Sequence, residues 1–186
     1  MGAYRDTFLL NKTLELKNKY NTNLFIETGT NDGDSLKILS SHFYALYSCE
    51  LFKNSYNVAK ENVKNLNNVK IYNISSSIFM ENICEELKGR NDIIFFLDAH
   101  WGPNSPLLTE LDIIFKYELT CPIIIHDFFV PDENNNAKFG YDEPNGVKLD
   151  INYVKNHMDK IFDNSYDVYY PYQITEPTGF AIFTKK

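Results

Sequence analysis

Four acidic residues stand where apolar runs stop. Glu27 sits at the end of "LFIET", Glu50 closes "YALYSCE", Asp98 closes "DIIFFLD", and Asp127 follows "PIIIH". Open α/β sheets bind their ligands outside the carboxyl ends of such strands, so these are positions where a carboxylate can do chemistry. The first acid opens residues 25–36, "FIETGTNDGDSL", where Gly29 and Gly33 bracket Thr30, Asn31 and Asp32. A strand running through glycines into a helix suits a nucleotide or a nucleotide-like cofactor. A pyrophosphate-binding turn needs G-x-G-x-x-G. Here the middle glycine is missing, and Asp32 and Asp34 would repel the phosphates.

An acid-rich turn suits a cofactor that carries positive charge. S-adenosylmethionine has a sulfonium and an ammonium group and no phosphate. Glu50 follows Gly29 by about 20 residues, the interval at which an acidic side chain accepts hydrogen bonds from both ribose hydroxyls. The candidate cofactor residues on this reading are Glu27, Thr28, Gly29, Thr30, Asn31, Gly33, Asp34 and Ser35 in the first turn, then Glu50 and Asp98.

A second group is Asp98-Ala99-His100-Trp101 with His126-Asp127. On neighbouring strands about 4.8 Å apart, Asp98 and Asp127 could share a divalent cation, magnesium or manganese for oxygen ligands. Strand alternation predicts that His126 and Asp127 point to opposite faces, so that one of them reaches the cleft. Without a metal, His100 is the candidate base. The catalytic candidates are therefore His100, Asp98 and Asp127, and both versions stay open. Trp101, the sole tryptophan, is an acceptor platform or a packing residue.

The elements that must position these residues alternate in type. Short apolar runs predict strands at 24–28, 44–50, 69–75, 92–100 and 122–129. Helical spacing predicts helices at 4–20, 33–42, 53–65, 78–88, 105–118 and 147–162. Runs apolar on both faces belong in a buried parallel sheet with helices on both sides. Residues 166–172 and 178–185, joined by "QITEP", predict a C-terminal antiparallel hairpin. The expectation is one domain over 1–186, a three-layer Rossmann-like α/β fold with a seven-stranded, mostly parallel sheet. Residues 130–146, "VPDENNNAKFGYDEPNG", are too polar to pack alone and predict a mobile flap. That flap and residues 1–20 are the expected acceptor walls.

At this point the chain resembles a family. "FIETGTNDGDSLKILSSHF", "YSCEL", "FFLDAHWGPNSPLLTELDII" and "PIIIHDF" look like the class I S-adenosylmethionine-dependent methyltransferases, with the likeness strongest to small methyltransferase-like bacterial and environmental proteins. The resemblance covers residues 22–128 and the terminal hairpin. It implies that Glu27 and Gly29 lie against the methionine part, that Glu50 takes the ribose, and that Ile74 to Ser76 lie near the adenine. The chain departs from the family at Asn31, often a third glycine, and at Ser75 or Ser76, where an Asp commonly meets the adenine. "DAHW" followed by "HDF" is similar to the metal-dependent catechol-type O-methyltransferases. There an Asn or Asp follows the second metal acid, whereas Phe128 follows Asp127 here. The resemblance thus implies a ligand set that is either incomplete or rebuilt from His100, His126 or the flap.

Composition is that of an ordinary soluble globular protein: 186 residues, 44% hydrophobic, 23% charged, net charge −7. An acidic chain with scattered lysines makes nucleic acid a poor partner and leaves a small-molecule or saccharide acceptor. Three separated cysteines point to a reducing compartment. The N-terminus lacks a signal-peptide pattern and no apolar run reaches membrane-span length, so the expected location is the cytoplasm, without membrane association. Oligomeric state is left open. Two other readings compete: a non-catalytic cofactor-binding protein on the same fold, and a nicotinamide-dependent oxidoreductase.

Overall fold

The computed structural model describes residues 2–99 and 105–186. The strands are β1 (Leu24–Thr28), β2 (Ala45–Cys49), β3 (Val69–Tyr72), β4 (Ile93–Leu97), β5 (Ile123–His126), β6 (Tyr166–Tyr169) and β7 (Phe180–Lys185). They form one sheet in the order β3-β2-β1-β4-β5-β7-β6. β1 to β5 run parallel, and β7 lies antiparallel to both β5 and β6. This is the expected fold, and its strand order reverses direction between β1 and β4. Such a switch point opens a crevice at the carboxyl ends of the two strands.

The helices are α1 (Thr7–Tyr20), α2 (Asp34–Leu39), α3 (Lys53–Asn62), α4 (Ser76–Glu86), α5 (Leu107–Lys116) and α6 (Ile151–Ile161). Strand alternation sends Ile26, Phe95 and Ile125 to one face, where they meet Met80 and Ile83 of α4, Leu111 and Ile114 of α5, and Val154 and Met158 of α6. Phe25, Phe96 and Ile124 go to the other face, against Leu9 and Leu16 of α1 and Leu36 and Leu39 of α2. Each such side chain contributes about 1.5–3 kcal/mol on burial, which holds the strand ends rigidly beneath the crevice. No helix among the described residues is long and apolar enough to cross a membrane.

Most predicted boundaries shorten: α1 starts at Thr7, α2 ends at Leu39 and β6 ends at Tyr169, and three further shifts have a clear local reason. The helix expected at 147–162 starts at Ile151, because the Asp150 carboxylate accepts the backbone N–H groups of Asn152 and Tyr153. The strand expected at 69–75 stops at Tyr72, where the Asn73 side-chain amide donates to the carbonyls of Glu50 and Leu51 instead. The strand expected at 122–129 stops at His126, because Asp127 takes a left-handed conformation with φ 50°.

The stems of the segment 130–146 make backbone contacts. Pro131 bridges Ala137, and Gly140 bridges Thr178 of the β6–β7 connection. The Asp142 amide donates to the Asp127 carbonyl at 2.9 Å. Only its tip is polar on all sides, where Asp132 accepts the amides of Asn134 and Asn136.

Candidate active site

The first turn is built by backbone contact. Gly29 has φ 82°, and a Cβ there would stand 2.5 Å from the Asp98 carbonyl oxygen. The end of β1 therefore touches the end of β4 directly, and only glycine permits the approach. Asn31 is also left-handed (φ 51°), a conformation its short polar side chain tolerates. Its amide donates to Glu50 Oε2 at 2.9 Å, and the Phe52 amide donates to Oε1 at 2.8 Å. Two donors fix the Glu50 carboxylate and leave acceptor sites on it for a ligand, since a carboxylate offers about four.

Beneath this turn lies a buried polar chain. The Thr30 and Ser48 hydroxyls are 2.6 Å apart, and Ser48 donates to Glu27 Oε2 at 2.7 Å. Burial pushes the Glu27 carboxyl up to about 8, against the lowering effect of the Ser48 and Ser35 hydroxyls. A positive ligand group close by would favour its ionised form. On the opposite face of the sheet Glu110 is wholly buried, and burial pushes it up to about 7. The Thr28 hydroxyl donates to its Oε2 at 3.4 Å, Ser76 is a second hydrogen-bond partner, and Oε1 has none among the described residues.

At the ends of β4 and β5 three side chains converge. The His126 Nδ1 lies 3.1 Å from Asp98 Oδ1 and 3.2 Å from Asp127 Oδ1. The expectation that alternation separates His126 from Asp127 is wrong here. The left-handed Asp127 leaves the pleat, so both side chains face Asp98. Burial alone would lower the imidazole's affinity for a proton. The charges of Asp98 and Asp127, with their hydrogen bonds, outweigh it and hold His126 well above its ordinary value. Ligand atoms of all three residues lie within 4.8 Å of one another, a group that could hold a metal ion.

These parts share one cleft of about 370 Å³, within the usual size range of small-ligand sites. Of the predicted residues, Gly29, Asn31, Glu50, Asp98 and Asp127 line it, together with His126. Glu27, Thr28, Thr30 and Ser35 support it from below rather than lining it. Gly33 packs against Val63 and Ala59, and Asp34 pairs with Arg5. Ser75 precedes α4 without a capping bond, and Ser76 turns inward to Glu110, so neither lines the cleft. His100 and Trp101 fall outside the described residues.

The walls of the cleft depart from expectation. Ala3 contributes from the N-terminal segment, but the other wall is Glu176, Pro177 and Thr178, and residues 130–146 supply no lining side chain. Asp6 holds the two walls together. Its Oδ1 accepts the amides of Phe8 and Leu9 to cap α1, while its Oδ2 accepts those of Thr175 and Glu176. Nothing local in "QITEP" announces this contact. Glu110, also missed, left one trace: an acid within the apolar stripe of Leu107, Leu111 and Ile114.

No protein-family model and no curated protein matches the sequence. Solved structures do match in fold. The methyltransferase domain of bacterial CtHen1 superposes with a TM-score of 0.62 at 15% identity, over 95% of this chain and 97% of that one. An O-methyltransferase from Bacillus cereus in complex with SAH gives 0.63 at 15%, over 97% and 81%. An rRNA methylase from Streptococcus thermophilus gives 0.55 at 12%, over 95% of each chain. At these identities the likeness establishes the architecture: the chain has the seven-stranded Rossmann-like fold that these methyltransferases share.

Proposed function

We propose that the chain is a class I S-adenosylmethionine-dependent methyltransferase that O-methylates a small molecule or saccharide. The observation that carries this reading is the single cleft with Gly29, Asn31 and Glu50 at one end and Asp98, His126 and Asp127 at the other. Glu50, anchored by two amides, is set to accept the ribose hydroxyls. The turn at Gly29 lets the backbone lie against the cofactor, and Glu27 beneath it is an acid that a cationic ligand would ionise. S-adenosylmethionine would supply the activated methyl group, so the protein's task is to align the acceptor and manage its proton.

Asp98 and Asp127 are the residues that would hold a divalent cation, which when bound lowers the pKa of an acceptor hydroxyl. The donor set fits such an ion, with two carboxylates and an imidazole converging on one point. The cleft walls carry Glu50, Asp98, Asp127 and Glu176, and no lysine or arginine among the described residues. A polyphosphate acceptor would meet these acids uncompensated, which supports a small acceptor without phosphate over nucleic acid. The three cysteines are free and buried, in keeping with a cytoplasmic setting.

Replacing Glu50 tests the cofactor half. Glu50→Ala is expected to weaken S-adenosylhomocysteine binding by about 1–3 kcal/mol, roughly fivefold to 150-fold, through lost charge-assisted hydrogen bonds. Calorimetric titration of both proteins reads it. Equal affinities would remove Glu50 from the cofactor site.

A further inference from the structure

The Asp98, His126 and Asp127 group has a feature that two carboxylates alone would lack. Its central atom is a nitrogen. His126 Nδ1 stands almost equidistant from one oxygen of each acid, at 3.1 and 3.2 Å. Ligand atoms at right angles on an ion with bonds of about 2.1 Å stand about 3.0 Å apart, so both separations suit neighbouring positions on one small dication. Hydrogen bonding explains the arrangement less completely. Nδ1 carries at most one proton, which the two carboxylate oxygens would have to share.

The placement is built into the backbone. Asp98 follows the last residue of β4, and its amide donates to the Thr28 carbonyl at 3.1 Å. Asp127 is swung beside His126 by its left-handed φ, and its carbonyl accepts the Asp142 amide at 2.9 Å. The His126 side chain is 12% exposed, and its ring lies 5.8 Å from that of Phe96. The imidazole is thus held by packing, and all three donors sit on fixed elements.

We propose that His126 Nδ1 is the third protein ligand of the cation, and that the site therefore selects a first-row transition-metal dication over magnesium or calcium. This rests on the cation reading of the cleft and is independent of the acceptor. Oxygen-only sites suit magnesium and calcium, whereas an imidazole nitrogen adds most to the affinity of cobalt, nickel or zinc and little to that of magnesium. Phe128 occupies the next position and offers no oxygen, so the nitrogen takes the place an amide or carboxylate would otherwise fill. The remaining coordination positions are left for water or acceptor oxygens.

The test uses the full chain without cofactor, so its outcome is separate from that of the methyltransferase reading. Calorimetry with Co²⁺ and Mg²⁺ is expected to give a preference for cobalt of about a hundredfold or more, falling at least about tenfold in His126→Asn, which offers an amide oxygen instead. Thermal unfolding checks that the variant is folded. Wild-type protein loaded with Mn²⁺ supplies a reading that needs no variant: electron spin-echo spectra should show nitrogen modulation from a coordinated imidazole. Nitrogen modulation with the cobalt preference supports the assignment. Absence of modulation, an unchanged preference in His126→Asn, or no binding of any of the three ions overturns it.

Discussion

Gly29→Ala is expected to lose about 2–5 kcal/mol of stability. A left-handed conformation costs a non-glycine residue about 1–2 kcal/mol, and overpacking against a fixed neighbour about 1–3 more. The neighbour here is the Asp98 carbonyl oxygen, 2.5 Å from the new Cβ and part of the backbone, so it cannot rotate away. For a domain of this size that corresponds to a melting temperature lower by roughly 4–20 °C. Gly89→Ala is the internal control. Gly89 has φ 81°, but a Cβ there meets nothing within 4 Å, so it bears the conformational term alone. Thermal unfolding of both variants isolates the contact between the ends of β1 and β4. Equal losses would show that this contact does not constrain the turn. Because the displaced group is the Asp98 backbone, Gly29→Ala should also weaken cation binding, whereas Gly89→Ala should not.

Glu110→Gln is expected to flatten the dependence of stability on pH. Burial raises the Glu110 carboxyl from an ordinary 4.5 to about 7. Between those values the folded protein holds a proton that the unfolded chain has released. Stability therefore falls as pH rises through this window, and the ionised carboxylate above it is the destabilised form. A shift from 4.5 to about 7 corresponds to about 3 kcal/mol, at 1.36 kcal/mol per unit. Glutamine cannot ionise, and it keeps an oxygen for the Thr28 hydroxyl. Urea unfolding at intervals between pH 4.5 and 8 should show a shallower fall in the variant. Glu27, raised to about 8, keeps part of the slope in both proteins. Superimposable pH profiles would contradict the assignment of this slope to Glu110.

Both residues sit where the sequence was readable in different degrees. Apolar runs such as 93–97 and 123–126 declare buried parallel strands, and the acids that end them point to the crevice, because burying a carboxylate without partners is costly. Gly29, Asn31, Glu50, Asp98 and Asp127 were legible for that reason. The convergence of His126 with Asp127 was not. Alternation holds only while the chain stays in the pleat, and nothing in "HDF" signals that Asp127 leaves it. Ser75 and Ser76 were placed by family likeness, but the helix start that follows β3 turns Ser76 inward to Glu110.

The cleft wall at 176–178 escaped for a longer-range reason. Its position depends on the β5–β7 register and on one carboxylate, Asp6, joining segments about 170 residues apart. The pairing of the 130–146 stems with the β6–β7 connection and the β5 end was likewise not legible. Polar composition reports which side chains cannot form a core, and it is silent on backbone pairing.

The most direct measurement of the central claim is calorimetric titration of the wild-type protein with S-adenosylhomocysteine and, separately, with NADH. A nucleoside site with Glu50 on the ribose and an acid-rich turn without pyrophosphate-binding glycines predicts saturable heat with S-adenosylhomocysteine and none with NADH. Binding should also raise the melting temperature in proportion to the logarithm of ligand concentration. NADH binding, with no heat from either S-adenosylhomocysteine or S-adenosylmethionine, would contradict the account.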